Sequence, residues 1–341
     1  MSAPAEQIER FPCFGGSCAV LVSGADGVCS ASEAALDARR SLLDWHRRFS
    51  RFLPDSELSM LNEEPRREVP ASRLLVRLAA SVRPAGELSG GLVDATLAEE
   101  IEIAGYAEDL GEPLSPALAL ALAPARKPAR SAAGRWREVH VDARAGLIVR
   151  PPGLRIDGGG LAKGLFADLL AERLSRHDAF AVDCAGDLAL GGAAGLVRPI
   201  HVECPFRGQT LHTFELIDAC VATSGITRRS WLDHAGRPAH HLLDPATGAP
   251  AFTGIVQVTA LAPSALEAEV RAKAALLAGP QAAHGHLPHG GAVVYDDGSH
   301  RVFEPQRIVT VARLSGFAGA GAQVERNRAA SSEPPVASPS L

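Results

Sequence analysis

The apolar positions near the start of the chain change period once. Residues 19–23 (Ala-Val-Leu-Val-Ser) form a short unbroken apolar run, which reads as a strand. Apolar residues then recur at helical spacing through Leu36, Leu42, Leu43, Trp45 and Phe49. Ser30-Ala-Ser-Glu33 ahead of them has the form of a capping box, so the pattern predicts a helix over 31–49, ended by the Pro54-Asp55 turn. A second helix is predicted over 72–88, closed by Gly90-Gly91. Residues 113–134 are rich in Ala, Pro and Arg and read as surface loop, with a short helix over 117–123.

From 138 the pattern turns to strands. Residues 139–141 and 147–149 form a predicted hairpin, and further strands are expected near 179–183, 198–203, 211–216, 219–222, 239–243, 254–261, 292–296 and 301–303. Helices are predicted over 161–174, where Leu161, Leu165, Leu169 and Leu170 share a face, and over 264–278. Strands and helices mix without a strict βαβ rhythm, which favours an α+β fold of mixed sheets with packed helices over a doubly wound sheet.

Composition narrows the class. The 341 residues, 46% hydrophobic, supply roughly two domains' worth of chain or one large domain. The expected division is an N-terminal extension over 1–18, one domain over 19–310, and a tail over 315–341 whose Ala, Gly, Ser and Pro predict disorder. A net charge of −5 and 5% aromatic residues give no footprint for nucleic acid. Cysteines 13, 18, 29, 184, 204 and 220 form no CxxC and no zinc spacing, so reduced thiols in a cytoplasmic protein are expected. No charged leader with an apolar core is seen, no hydrophobic segment precedes Cys13 to make a lipid-anchor signal, and no apolar run is long enough for membrane insertion.

Five segments carry candidate chemistry. Asp157-Gly158-Gly159-Gly160-Leu161-Ala162-Lys163-Gly164 takes a glycine turn into a helix, whose first amides and dipole suit an anion. Lys163 sits where that dipole is unfavourable to a cation and so calls for an anionic partner. Ala222-Thr-Ser-Gly225, followed by Arg228 and Arg229, ends a strand in two hydroxyls and two cations. His240-His241 precedes Leu-Leu-Asp244-Pro245-Ala-Thr247-Gly248; only one of the two histidines can face a given site, and neutral His is the usual general base. Cys184-Ala-Gly186-Asp187 puts an acid after a buried strand, and Phe49-Ser-Arg-Phe52 puts an aromatic at a helix end. Each segment alone also reads as ordinary structure: a solvated lysine, a strand end, a core histidine, a turn cap, a core ring.

Together they resemble the ApbE family, the FAD:protein FMN transferases. The matching stretches are FSRFLPDSELSMLN (49–62), VDATLA (93–98), IDGGGLAKG (156–164), AGDLALGG (185–192), VATSG (221–225) and HHLLDPATGAP (240–250). The resemblance implies a T-fold-like α+β domain with an FAD cleft. It also implies transfer of FMN from FAD to a Thr or Ser hydroxyl of an acceptor protein, with release of AMP. It places Phe52 on the flavin, Asp94 and Thr96 along the cleft, and Gly159, Gly160 and Lys163 at the phosphates. Asp187, Thr223, Ser224, Gly225, Arg228 and Asp244 complete the pocket, and His241 is the candidate base. His241, Asp187 and Lys163 form the expected catalytic set. Two other outcomes fit the same scaffold: FAD binding without transfer, and hydrolysis of FAD to FMN and AMP.

The family's magnesium ligands map to the Gly160 carbonyl and to an A-D-x-x-x-T helix. Here that helix reads Ala268-Glu269-Val-Arg-Ala-Lys273, so Glu269 takes the acidic position and Lys273 the hydroxyl position. A lysine offers no lone pair to a metal, whereas Glu before Lys at i,i+4 is the favourable order for an ion pair. The expectation is therefore that the Lys273 ammonium stands where the metal would sit, held by Glu269 and the Gly160 carbonyl.

Overall fold

The computed structural model describes residues 6–108, 113–132 and 134–305. The expected disordered tail lies outside them.

Eight strands form one antiparallel sheet whose spatial order follows the chain: Gln7–Cys13, Gly16–Ser23, Ala179–Cys184, Asp187–Gly191, Cys220–Gly225, Ile255–Ala262, Gly291–Tyr295 and His300–Phe303. The two first strands make a hairpin, with Phe11 opposite Cys18. Among the described residues ahead of 19, Gln7–Cys13 is thus an edge strand of the sheet and 16–18 begin its neighbour, so they are part of the domain. The sequence pattern hides the edge strand, because only Phe11 and Cys13 of Gln7–Cys13 are buried and the same face carries Glu9, which pairs with Arg39 of helix Ala31–Arg48 at 3.0 Å.

Helices Ala31–Arg48, Ala162–Leu174 and Ala265–Ala278 pack on one face of this sheet. The first has the capping box that the sequence predicts: Ser30 Oγ accepts from the Glu33 amide and Glu33 reaches back to Ser30 N–H. The centre of the opposite face is covered by the hairpin Arg198–Glu203/Thr210–Leu216, which packs Val202 and Phe214 on Leu190, Val221 and Leu261. The segment between the second and third sheet strands holds helix Arg73–Leu88 against a small sheet of Glu68–Pro70, Leu147–Val149 and His140–Asp142. It also holds the short helices Glu57–Glu63 and Ala98–Ile103, which the sequence pattern does not announce. Ser72 caps Arg73–Leu88 through the Leu75 amide.

Two close contacts position the glycine turn and the helix that follows it. Asn62 clamps the backbone of Ile156, donating from Nδ2 to its carbonyl at 2.9 Å and accepting from its amide at 2.8 Å. Gly164 lets Ala162–Leu174 meet the start of Ala265–Ala278 at backbone contact, since a Cβ there would stand 2.6 Å from the Ala265 carbonyl oxygen. Among the described residues no helix is long and apolar enough to cross a membrane.

Candidate active site

Between the helical face of the sheet and the inserted segment lies a cleft of about 850 Å³. Its floor is the glycine turn. Asp157 Oδ1 accepts from the Gly159 amide at 2.5 Å and shapes the turn, and its amide donates to the Ala95 carbonyl at 2.8 Å. Helix Ala162–Leu174 starts straight from this turn with no bond from the side chain of its own N-cap residue Leu161. Gly158, Gly159, Gly160, Leu161, Ala162 and Lys163 all line the cleft.

Behind the turn, four charged side chains alternate in sign. Lys163 Nζ donates to Asp187 and lies 3.9 Å from Glu269 Oε1. Glu269 Oε1 accepts from Lys273 Nζ at 2.8 Å, and Glu269 Oε2 from the Gly164 amide at 2.9 Å. Asp187 and Glu269 are 0% exposed and Lys273 7%. Asp187 opens its strand directly after a tight turn in which Ala185 and Gly186 both have positive φ, 56° and 100°. Burial pushes its carboxyl up to about 7 despite the Lys163 ammonium, and its Oδ1 has no hydrogen-bond partner. Burial acts on Glu269 in the same sense, but the two lysines outweigh it and hold that carboxyl below its usual range. For Lys163 the two carboxylates outweigh burial and raise its affinity for the proton.

This donor set does not fit a divalent metal at Gly160 and Glu269. Magnesium takes oxygen ligands in near-octahedral order, but Glu269 has one oxygen on an ammonium and the other on a backbone amide. A divalent ion about 4 Å from one ammonium would meet roughly 8 kcal/mol of repulsion at an effective dielectric near 20.

The other end of the cleft is aromatic. Phe52 meets Tyr106 edge-on at 5.5 Å, and Tyr106 stacks on Trp231 at 5.2 Å. The Arg51 guanidinium lies 4.4 Å from the Phe52 ring and 4.6 Å from that of Tyr106, and its Nε is 3.4 Å from Asp157. Arg51 thus joins the aromatic wall to the glycine turn. The sequence singles out Phe52 within FSRF but not Arg51, and it has no pattern that would mark Tyr106, which lies in a loop.

Of the two histidines, His241 lines the cleft and His240 packs edge-on against Phe252 at 4.7 Å. Burial, aided by the nearby Arg229 charge, holds His241 well below its usual range, so it is neutral, and its buried Nδ1 has no partner. Arg229 also lines the cleft and donates to the Phe14 carbonyl at 2.6 Å, tying the tip of the N-terminal hairpin to the site. Phe14 rests edge-on against His46 at 4.9 Å. A division that sets residues 1–18 outside the domain misses both contacts.

The remaining expected residues divide. Asp94 lines the cleft; Thr96 is buried and holds it, donating from its amide at 2.8 Å and its hydroxyl at 2.6 Å to Asp94 Oδ1. Arg228 is exposed and outside the cleft; Arg229 is the cation that faces it. Thr223 bonds Thr259 across the strands at 2.9 Å. Both sit in register with Val221 and Leu261, on the sheet face away from the helices, so Thr223 is outside the cleft lining. Ser224 is buried and Gly225 pairs with Gln257 in the sheet; neither lines the cleft. Asp244 is also outside it and holds its own turn, accepting from the amides of Arg130 at 2.9 Å and Ala246 at 3.0 Å.

Among known proteins, the chain matches the ApbE family over residues 15–293. It is 25% identical over 288 residues to the FAD:protein FMN transferase of Vibrio cholerae O395, covering 82% of this chain and 83% of that protein. It is 32% identical over 166 residues to the FAD:protein FMN transferase of Treponema pallidum, covering 42% of this chain and 45% of that one. In three dimensions it resembles the ApbE protein of Thermotoga maritima (TM-score 0.72, 23% identity, 88% of this chain and 97% of that one). It also resembles the flavinyl transferase ApbE of Pseudomonas stutzeri (TM-score 0.69, 21% identity, 90% and 96%).

Proposed function

The chain belongs to the ApbE family, and from that premise we propose that it is a transferase moving the FMN half of FAD onto a Thr or Ser hydroxyl of an acceptor protein, with release of AMP. The observation that carries this reading is a neutral, half-buried His241 lining a cleft with an aromatic wall at one end and a glycine turn with ammoniums at the other. A flavin ring suits the wall of Phe52 and Tyr106, and a diphosphate suits the turn and the start of the helix.

Transfer of this kind rests on positioning and on neutralising charge. The acceptor oxygen forms a bond to the FMN phosphorus as the bond from that phosphorus to the AMP phosphate oxygen breaks. The hydroxyl proton passes to the His241 imidazole, and AMP leaves with the electron pair. Lys163 offsets the charge on the phosphates, while Asp187 holds Lys163 against the unfavourable dipole of its own helix. Magnesium has no step here, because the residues at Gly160 and Glu269 do not suit it. None of the six cysteines is in a disulfide, and this supports a reducing, cytoplasmic place of work and an acceptor that reaches it.

Purified protein incubated with FAD and an acceptor domain is expected to yield a covalent FMN adduct by mass spectrometry and AMP in equal amount. AMP without adduct would convert the reading to FAD hydrolysis, and retained FAD with neither product would reduce it to binding. His241→Asn is expected to keep FAD bound and slow adduct formation by about 100-fold or more.

A further inference from the structure

The alternating charges behind the glycine turn have a direction, and the role it gives them rests on the transferase reading of the same cleft. Asp187 and Glu269 are fully buried and stand behind the wall; Lys163 and Lys273 are the members of the set that line the cleft. Both oxygens of Glu269 are engaged, one by Lys273 and one by the Gly164 amide. Each ammonium has three donors. Lys273 Nζ spends one on Glu269, and Lys163 Nζ spends one on Asp187 with Glu269 at 3.9 Å. The Lys273 stem runs past Gly160, with Cε 3.8 Å from where a Cβ on that residue would stand. A glycine there leaves the lysine its open path beside the turn. Two buried ammoniums are costly unless paired. Here each has a carboxyl group behind it and donors left over for the oxygens of a diphosphate in the cleft.

We propose that Lys163 and Lys273 together form the cation site for the FAD diphosphate, braced by Asp187 and Glu269, so that FAD binding and FMN transfer proceed without a divalent metal. Lys273 is then a ligand-binding residue that recognises the diphosphate and is indifferent to the flavin ring.

The test uses the full chain freed of metal with EDTA, then supplied with either EDTA or millimolar magnesium. FAD is titrated by flavin fluorescence and the FMN adduct is followed in the same mixtures. The expected result is an FAD affinity equal within about twofold in the two conditions, with adduct formed in EDTA. Binding or adduct only in magnesium overturns the inference and leaves the transferase reading standing. Absence of FAD binding in both conditions overturns both. Lys273→Met keeps the stem and removes the charge; it is expected to weaken FAD roughly tenfold or more and leave riboflavin affinity unchanged. Lys273→Arg is expected to restore much of the loss. An unchanged FAD affinity in Lys273→Met overturns the role of Lys273. Should that variant misfold by circular dichroism, the EDTA arm on the unaltered chain decides the question alone.

Discussion

Two helices begin side by side in this molecule, and their first turns are treated in opposite ways. Ala265–Ala278 is capped twice: Ser264 Oγ accepts from the Glu267 amide at 3.1 Å, and the Asp168 carboxylate accepts from the amides of Ala265 at 2.7 Å and Leu266 at 3.0 Å. Ala162–Leu174 has no bond from the side chain of its own N-cap residue Leu161, gives only its Gly164 amide to a carboxylate, that of Glu269, carries Lys163 in its first turn, and opens onto the cleft. Capping residues and first-turn acids stabilise a helix, and a first-turn cation opposes its dipole. The first helix therefore completes its own end, while the second leaves its end for a ligand and needs Asp187 to hold its lysine. Local stability is given up where binding is to occur, and it is restored within the same pair of helices.

The contrast depends first on Gly164, which joins the two helix starts. Gly164→Val would drive side-chain carbon into the Ala265 carbonyl and Leu266 Cα, both under 3 Å from a Cβ at that position. It is expected to cost about 3 kcal/mol or more in urea unfolding, and to remove FAD binding by displacing Glu269 from the Gly164 amide. Next comes the brace on Lys163. The folded carboxyl of Asp187 is raised to about 7, above an unfolded value near 3.9, so its contribution is fully present below that unfolded value and is lost as pH rises through 7. Asp187→Asn is expected to flatten the dependence of Tm on pH between about 4 and 7; an unaltered slope would show that Asp187 ionises freely in the fold. The smallest effect is expected on the capped side. Asp168→Ala should cost about 1–2 kcal/mol in urea unfolding and leave FAD affinity in place, since the amides it caps, those of Ala265 and Leu266, do not line the cleft.

Much of this is legible in the sequence where the signal is local. Ser30 with Glu33 and Glu269 with Lys273 are read three or four residues apart, and the structure keeps both pairings. The pairing of Lys163 with Asp187 spans a helix and a strand, and no spacing rule reaches that far. The strand Asp187–Gly191 is hidden by its flanking glycines, and the turn ahead of it depends on a positive φ at Ala185, a residue type that gives no warning of one. Thr223 and Arg228 illustrate a different limit. The motif around each is recognisable, but which face of the sheet or side of the loop it presents is set by register and not by the motif.

The sheet order has a consequence for how the chain is made. Gly16–Ser23 pairs with Ala179–Cys184, which leaves residues 24–178 to be synthesised before the hairpin finds its neighbour. Closing so long an excursion is entropically slow to begin but only weakly sensitive to its length. At roughly 5–20 residues per second of translation the wait is about 8–30 s. Throughout it the edge of Gly16–Ser23 that will meet Ala179–Cys184 is unpaired, although helix Ala31–Arg48, made directly after the hairpin, can already cover Val20 and Val22. The hairpin that reaches the cleft through Phe14 is therefore made well before the strand that secures its edge.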